Sequence, residues 1–281
     1  MKLIIAMKKI LTPTDFSSCA LRASETAIAL AKVANAQIHF LHLFSIPANW
    51  LYQEGYQDKM YTDVSEKVAL ANKKLEQLVA LAQKQNVDAT FQVDFNDDKK
   101  TINKYIKNHN IDIIVMGSHG ADGMKELLVG TNAQKVIRSA SVPVLIVKEN
   151  NASVLVPEIV FVSDFEAEAM KPFQKVIGIA ELLKARVHLL YINTPAFFND
   201  NMSIENSMET FVALASERLA KASIYSDFLF EDGIQHYCDK YDIGLVAIAT
   251  HSRRGFSRML IGSDAERVIN HLTTPVLSLH F

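Results

Sequence analysis

The sequence has little of what marks several protein classes. Its 281 residues include two cysteines, Cys19 and Cys238, one in each half of the chain. Their spacing matches no metal site, and they suit free, buried thiols in a reducing compartment. Charge of one sign is also scarce, with a net of −2 when histidine is neutral. Residues 1–150 carry 18 basic and 15 acidic side chains, and residues 151–281 carry 11 and 16. That balance gives no basic surface of the kind nucleic acid demands, although the small excess in the first half suits an anionic ligand. No apolar run approaches the roughly 20 residues of a membrane span. The opening Met1–Met7 is too short for a signal peptide, Lys8-Lys9 closes it, and Met7 reads as an alternative start. A cytoplasmic protein with neither membrane nor nucleic-acid partners is expected.

What is present is the composition of a globular protein, 49% apolar and 21% charged, at a length that suits two domains. Strand and helix patterns alternate. Ile10–Pro13 reads as a short buried strand, and Ala20, Ala23, Ala27, Leu30 and Ala34 recur at helical spacing. Ile38–Phe44 is a second strand, followed by a long helical stripe through Val64, Val68, Ala71, Leu75, Leu78 and Ala82. A third strand is expected near Thr90–Val93 and a helix around Ile102 and Ile106. Ile111–Met116 is the near-continuous apolar run of a strand covered on both faces. Ala133, Val136, Ile137 and Ala140 mark the next helix, and Val142–Val147 the last strand. Such βα alternation predicts an α/β, doubly wound parallel sheet.

The second half repeats the first. Thr12–Phe16 corresponds to Phe161–Phe165, and Gly130-Thr131 to Gly262-Ser263. At the second offset Ile102 matches Ile234, Tyr105 matches Tyr237, His119 matches His251, and Pro143-Val144-Leu145 matches Pro275-Val276-Leu277. The offsets differ, which places an insertion in the first copy around residues 49–62. Two tandem domains follow, 1–149 and 154–281, joined by a short polar linker within Lys148–Ser153.

After the buried strand ending at Met116 come Gly117-Ser118-His119-Gly120, nine further residues, and Gly130-Thr131 opening a helix. Glycine at a strand-to-helix turn lets main-chain N–H groups approach an oxyanion, and a helix N-terminus adds unpaired N–H groups and a positive dipole end. Ser118 and Thr131 add hydroxyl donors. The bland alternative is that these glycines only make tight turns. With Ser141–Val147 downstream and Lys8–Ser17 at the start, the set resembles the G-x2-G-x9-G-(S/T) signature and first strand of the universal stress protein family, over nearly all of both halves.

That resemblance implies two five-stranded parallel sheets of order 3-2-1-4-5, flanked by helices and packed as a pseudo-twofold pair through their last strands. It also implies ATP or AMP at the C-terminal ends of strands 1 and 4, the switch point where open α/β sheets bind ligands. Carried over by position, Pro13, Thr14 and Asp15 face the adenosine end and Leu43 packs near the adenine. Met116, Gly117, His119, Gly120, Gly130, Thr131 and Asn132 lie along ribose and phosphates. Asp15 also reads as a helix N-cap, His119 as a packed loop residue, and His39 and His42 as structural. Trp50, Tyr52 and Tyr56 fit surface or interface packing better than an adenine cap. Mg2+ is expected only as the nucleotide's companion, since no dedicated carboxylate cluster or other metal site is visible.

In the second half Ala249 and Ser252 replace two of the three glycines. Asp164, Ile192, His251, Gly262 and Ser263 outline a degenerate second site, where scaffolding is the preferred role. Arg253, Arg254 and Arg258 make this loop more basic than its counterpart and read as a solvated charged face in preference to an anion site restored through side chains. Three functions compete: a nucleotide-binding stress-response regulator with little or no turnover, a slow ATPase, and a nucleotide-independent adaptor for unidentified protein partners. There is no P-loop, and residues after the first strand lack the Ser-Gly-Gly-x-Asp-Ser loop of ATP-splitting adenylating enzymes. No catalytic residue is assigned. A chain ending on its last strand fits a covered edge within an intrachain domain pair, with further association into a homodimer left open.

Overall fold

The computed structural model describes residues 7–45, 57–96, 101–119, 131–149, 155–250 and 262–280. The first half runs β1 (Lys9–Pro13), α1 (Ser18–Ala34), β2 (Gln37–Ser45), α2 (Gln57–Lys84) and β3 (Ala89–Asn96). It continues with α3 (Thr101–His109), β4 (Ile113–Gly117), α4 (Thr131–Ser139) and β5 (Val144–Val147). The second half repeats the order as β6 (Glu158–Val162), α5 (Met170–Leu183), β7 (Arg186–Asn193), α6 (Asn201–Ala215) and β8 (Leu219–Ser226). It ends with α7 (Phe230–Tyr241), β9 (Leu245–Thr250), α8 (Gly262–His271) and β10 (Val276–His280).

All ten strands form one sheet, in the order β3-β2-β1-β4-β5-β10-β9-β6-β7-β8. Each half therefore has the expected 3-2-1-4-5 order, and the halves meet where β5 and β10 pair antiparallel. Every other pairing is parallel. The expected α/β architecture with tandem, doubly wound halves is present.

Successive side chains on a strand point to opposite faces, so a strand covered on both sides must be apolar throughout. β4 obeys this: Ile113 and Val115 enter the core under α1, α2, α5 and α6, while Ile114 and Met116 enter the core under α3, α4, α7 and α8. The small residues Ala20, Ala23, Ala27 and Ala31 of α1 are all buried, which lets that helix lie close against the sheet. Ser17 caps α1 by accepting a bond from the Ala20 amide, and Asn35 ends it in the left-handed region, φ 51°. β3 extends beyond the expected Thr90–Val93. Part of the inserted stretch in the first half is helical, since α2 begins at Gln57 and runs for 28 residues against 15 in α6.

The halves are also joined by a side chain. Lys148, read from sequence as the start of the linker, donates its ammonium to the Ile269 carbonyl in α8. Burial pulls its pKa down to about 8, while neighbouring Cys19 acts in the opposite direction.

Candidate functional site

β1 lies between β2 and β4, so the chain leaves β1 at the point where strand order reverses. Ile10 pairs with Ile113 and Leu11 with Ile114, in parallel, which brings the C-terminal ends of β1 and β4 to one edge. Such a switch point opens a crevice outside the strand ends.

The turn after β1 is tightly specified. The Thr14 amide donates to the Leu41 carbonyl at 2.9 Å, and Thr14 Oγ1 accepts from the Phe16 amide at 3.1 Å. Phe16 stands at φ 66°, an unfavourable region for a side chain with a Cβ, and the surrounding bonds hold it there. Asp15 is exposed, and its Oδ1 accepts from the amide and hydroxyl of Ser17 at 3.1 and 2.7 Å. The N-cap expected at Asp15 is thus Ser17; Asp15 orients the cap and leaves its carboxylate at the crevice. His42, expected to be structural, donates from Nδ1 to the Thr14 carbonyl at 2.7 Å and packs against Phe16 with ring centroids 4.7 Å apart and the planes tilted by 32°.

At the end of β4, Gly117 faces the start of α1. A Cβ added there would lie 2.9 Å from Cys19 Sγ and 3.0 Å from its carbonyl carbon. Close packing therefore requires glycine at 117 before any ligand is considered. The Ser118 amide donates to the Val147 carbonyl at 2.9 Å, and its hydroxyl meets His119 Nδ1 at 3.0 Å. His119 Nε2 faces the Glu149 carboxylate at 3.5 Å. Hydrogen bonds from Ser18 and His119 hold the Glu149 carboxyl below its ordinary range. α4 then opens at Thr131.

The structure thus brings Pro13, Thr14, Asp15, Gly117 and His119 to one edge, with α1 and α4 starting there. Met116 is buried among the α3 and α4 side chains, so only its main chain is near the crevice. Leu43 is half-buried against the same core. Gly120, Gly130, Trp50, Tyr52 and the three loop arginines lie outside the described residues, as do Tyr56 and the side chains of Thr131 and Asn132. Sequence reading missed Glu149 and Cys19 as neighbours of the crevice. Glu149 was hidden by its place in a polar linker, and Cys19 by having no partner within its own segment.

The second half reproduces the turn. Phe165 stands at φ 59°, its amide donates to Ser163 Oγ at 3.0 Å, and Asp164 Oδ1 accepts from the Glu166 amide at 3.3 Å. Ile192 is fully buried; its Cγ2 lies 3.0 Å from where a Cβ on Gly233 would stand. Its side chain serves the contact between β7 and α7. His251 and the side chain of Ser263 lie outside the described residues, while Gly262 opens α8.

These features define a tandem, doubly wound α/β protein whose first half has its strand-order switch point at the C-terminal ends of β1 and β4. The family model described as "Universal stress protein family" matches residues 7–148 and 231–280, well over half of the chain. The chain belongs to the universal stress protein family. A universal stress protein of Methanocaldococcus jannaschii is 31% identical over 150 residues, covering 50% of this chain and 82% of that one. A second from the same organism is 28% identical over 167 residues, covering 53% of this chain and 99% of its own length. The crystal structure of a universal stress protein from Archaeoglobus fulgidus matches over 98% of each chain, with a TM-score of 0.74 at 21% identity. The last comparison bears on the fold, and it covers both halves together.

Proposed function

We propose that the first half binds an adenine nucleotide, ATP or AMP, and that the protein is a cytoplasmic stress-response regulator with little or no turnover. One observation carries this reading: the turn after β1 and the turn after β4 emerge side by side at the switch point, where two helices also begin. Helix N-termini and glycine-rich turns favour polyphosphate because their N–H groups converge on an oxyanion. On this reading the exposed Asp15 carboxylate lies at the nucleoside end. His119 and the glycine turn that follows it lie at the phosphate end, together with the start of α4.

Family membership and the spacing of Gly117, Gly120, Gly130 and Thr131 support the same conclusion. Mg2+ would arrive as the nucleotide's companion; among the described residues no group of three His, Cys, Asp or Glu side chains is arranged to hold a metal. Binding without rapid turnover suits the chain, because Thr14–Ser18 lacks the loop of the adenylating enzymes. The second half, with Ala249 and Ser252 in place of glycines, is read as a scaffold.

Calorimetric titration of the purified protein with ATP, AMP and GTP tests this. Saturable binding of an adenine nucleotide at one site per chain, lost in Gly130→Val with unchanged circular dichroism, is the expected result. A folded protein that takes up no adenine nucleotide overturns the reading. Release of phosphate at enzyme-like rates replaces it with an ATPase.

A further inference from the structure

The ends of β7 and β8 carry a surface that nucleotide binding does not use. These strands remain neighbours to their last residues, Asn193 beside Ser226. The chain segments that leave them are tied to one another through Asn193. Its carbonyl accepts from the Asp227 amide at 3.3 Å, its side-chain Nδ2 donates to the Asn199 carbonyl at 2.9 Å, and its Oδ1 accepts from the Asn199 amide at 3.1 Å. Asn199 also donates to the Tyr191 hydroxyl at 3.3 Å. Two loops are thus bonded into fixed positions side by side.

What these loops display is apolar. Phe197 and Phe198 precede Asn199, and Phe228 and Leu229 follow Asp227. Phe198 is 73% exposed, Phe228 84%, and Met202 at the start of α6 is 71% exposed. Among the described residues every exposed phenylalanine lies here. A single exposed apolar side chain needs no explanation, but a cluster held outward on hydrogen-bonded loops marks a contact surface.

Acidic side chains predominate around it. No lysine or arginine occurs from Val187 to Glu217, nor from Ala222 to Asp239. Some acids are neutralised locally: Asp227 pairs with His236, Glu231 with Arg267 and Asp232 with His271. Glu205 and Glu209 are exposed and make no ion pair among the described residues. They stand three and seven residues after Met202, on the same stripe of α6, while Ile204, Met208 and Phe211 of the same helix are buried. The two loops and the start of α6 thus present exposed apolar side chains beside the carboxylates of Glu205 and Glu209.

We propose that this rim docks a cationic amphipathic helix of a partner protein. The helix sets its apolar face on Phe198, Met202, Phe228 and Leu229, and its basic side chains against Glu205 and Glu209. An amphipathic helix presents apolar anchors at i, i+3, i+4 and i+7 on one face, with its basic side chains beside them. The carboxylates select a basic partner and repel an anionic membrane surface. The second half then contributes a protein-binding edge to a chain whose nucleotide signature lies in the first.

The test uses the full chain and a fluorescein-labelled helical peptide of leucine and lysine, about five turns long, with a leucine–glutamate peptide of the same pattern as control. Anisotropy is expected to report saturable binding of the lysine peptide at one site, weakening with salt, and much weaker binding of the glutamate peptide. Phe198→Ser/Phe228→Ser is expected to weaken binding about tenfold or more, and Glu205→Gln/Glu209→Gln to weaken it and flatten its salt dependence. Both variants change exposed side chains, so melting temperature and ATP uptake should stay as in the parent. Unaltered peptide binding in both variants overturns the proposal, as does equal binding of the glutamate peptide. A dimer in sedimentation that Phe198→Ser/Phe228→Ser dissociates makes a second copy the occupant and also overturns it. Flotation with anionic vesicles that depends on the same phenylalanines does so too.

Discussion

Leu145 and Leu277 face each other across the junction of β5 and β10, and they are the same position of the repeat. On either side Val276 meets Ile146 and Ser278 meets Val144, so each pair is the exchange of the other. That is the arrangement of an isologous contact, with a pseudo-twofold axis passing between the two leucines. Each half would otherwise present an unpaired strand edge, and here its own copy covers it.

Both leucines are almost wholly buried. Leu145→Ala and Leu277→Ala are each expected to cost about 2–5 kcal/mol, the transfer of a buried side chain plus the cavity left behind. Because the two positions touch, the double variant should depart from additivity by about 0.5 kcal/mol or more. Urea unfolding of the four proteins gives the cycle. Full additivity would show that the leucines share a strand pair without sharing a packing site.

Gly117→Ala is expected to destabilise the nucleotide-free protein by about 1–3 kcal/mol, because the new Cβ meets the sulfur and main chain of Cys19. Replacing Cys19 by alanine as well relieves the contact with Sγ but not the contact with the carbonyl carbon. Thermal melting without ligand should therefore show partial rescue. A stable Gly117→Ala protein would return this glycine to the role the motif suggests.

The strands and helices were legible because they follow from patterns written locally, whereas the strand order and the pairing through last strands came from the resemblance to the family. Ile113–Gly117 is buried at every position and reads as an uninterrupted apolar run. The repeat then carries one half's order into the other. Gly117 was only half legible: a glycine looks the same in sequence whether it clears space for a phosphate or for Cys19. Ser17 caps α1 where Asp15 was expected to, because both residue types fit an N-cap and only the bonds separate them. Lys148 read as linker because a cation beside polar residues suggests solvent, while its partner, Ile269, lies 121 residues away. Phe198 and Phe228 gave no sign of their exposure, since an apolar residue in sequence is read as core.

Stability should fall on acidification before the carboxylates are reached. His39 bonds Thr90 through Nδ1 at 2.6 Å and the Tyr105 hydroxyl through Nε2, and it stacks on His109. Burial, then the nearby His109 and Lys9, pull its pKa from 6.5 to about 4. His188, its counterpart, lies between Tyr237 and Glu158 and is also lowered, by burial first, against the opposing effect of Glu158. A base whose folded pKa is depressed takes up protons on unfolding, so its contribution is complete above pH 6.5 and declines as pH falls toward 4. Melting temperature should decline across that window, and less steeply in His39→Gln. An unchanged slope in His39→Gln would remove this histidine from the account.

Glu149 sets a charge against the ligand assigned to the crevice. Its carboxylate faces His119 Nε2 at 3.5 Å, close to the turn that the proposed function gives to phosphates. A bound polyphosphate would meet that negative charge and compete with it for His119. Glu149→Gln removes the charge, keeps the shape, and leaves the imidazole available to the anion. ATP affinity is therefore expected to rise about threefold at low salt, with the gain shrinking as salt screens the exposed carboxylate. His119→Gln in the same background should remove most of the gain, because the released partner is then gone. Titration calorimetry of the single and double variants at two salt concentrations decides it: equal affinity in parent and Glu149→Gln would mean that the phosphates lie beyond the reach of this carboxylate.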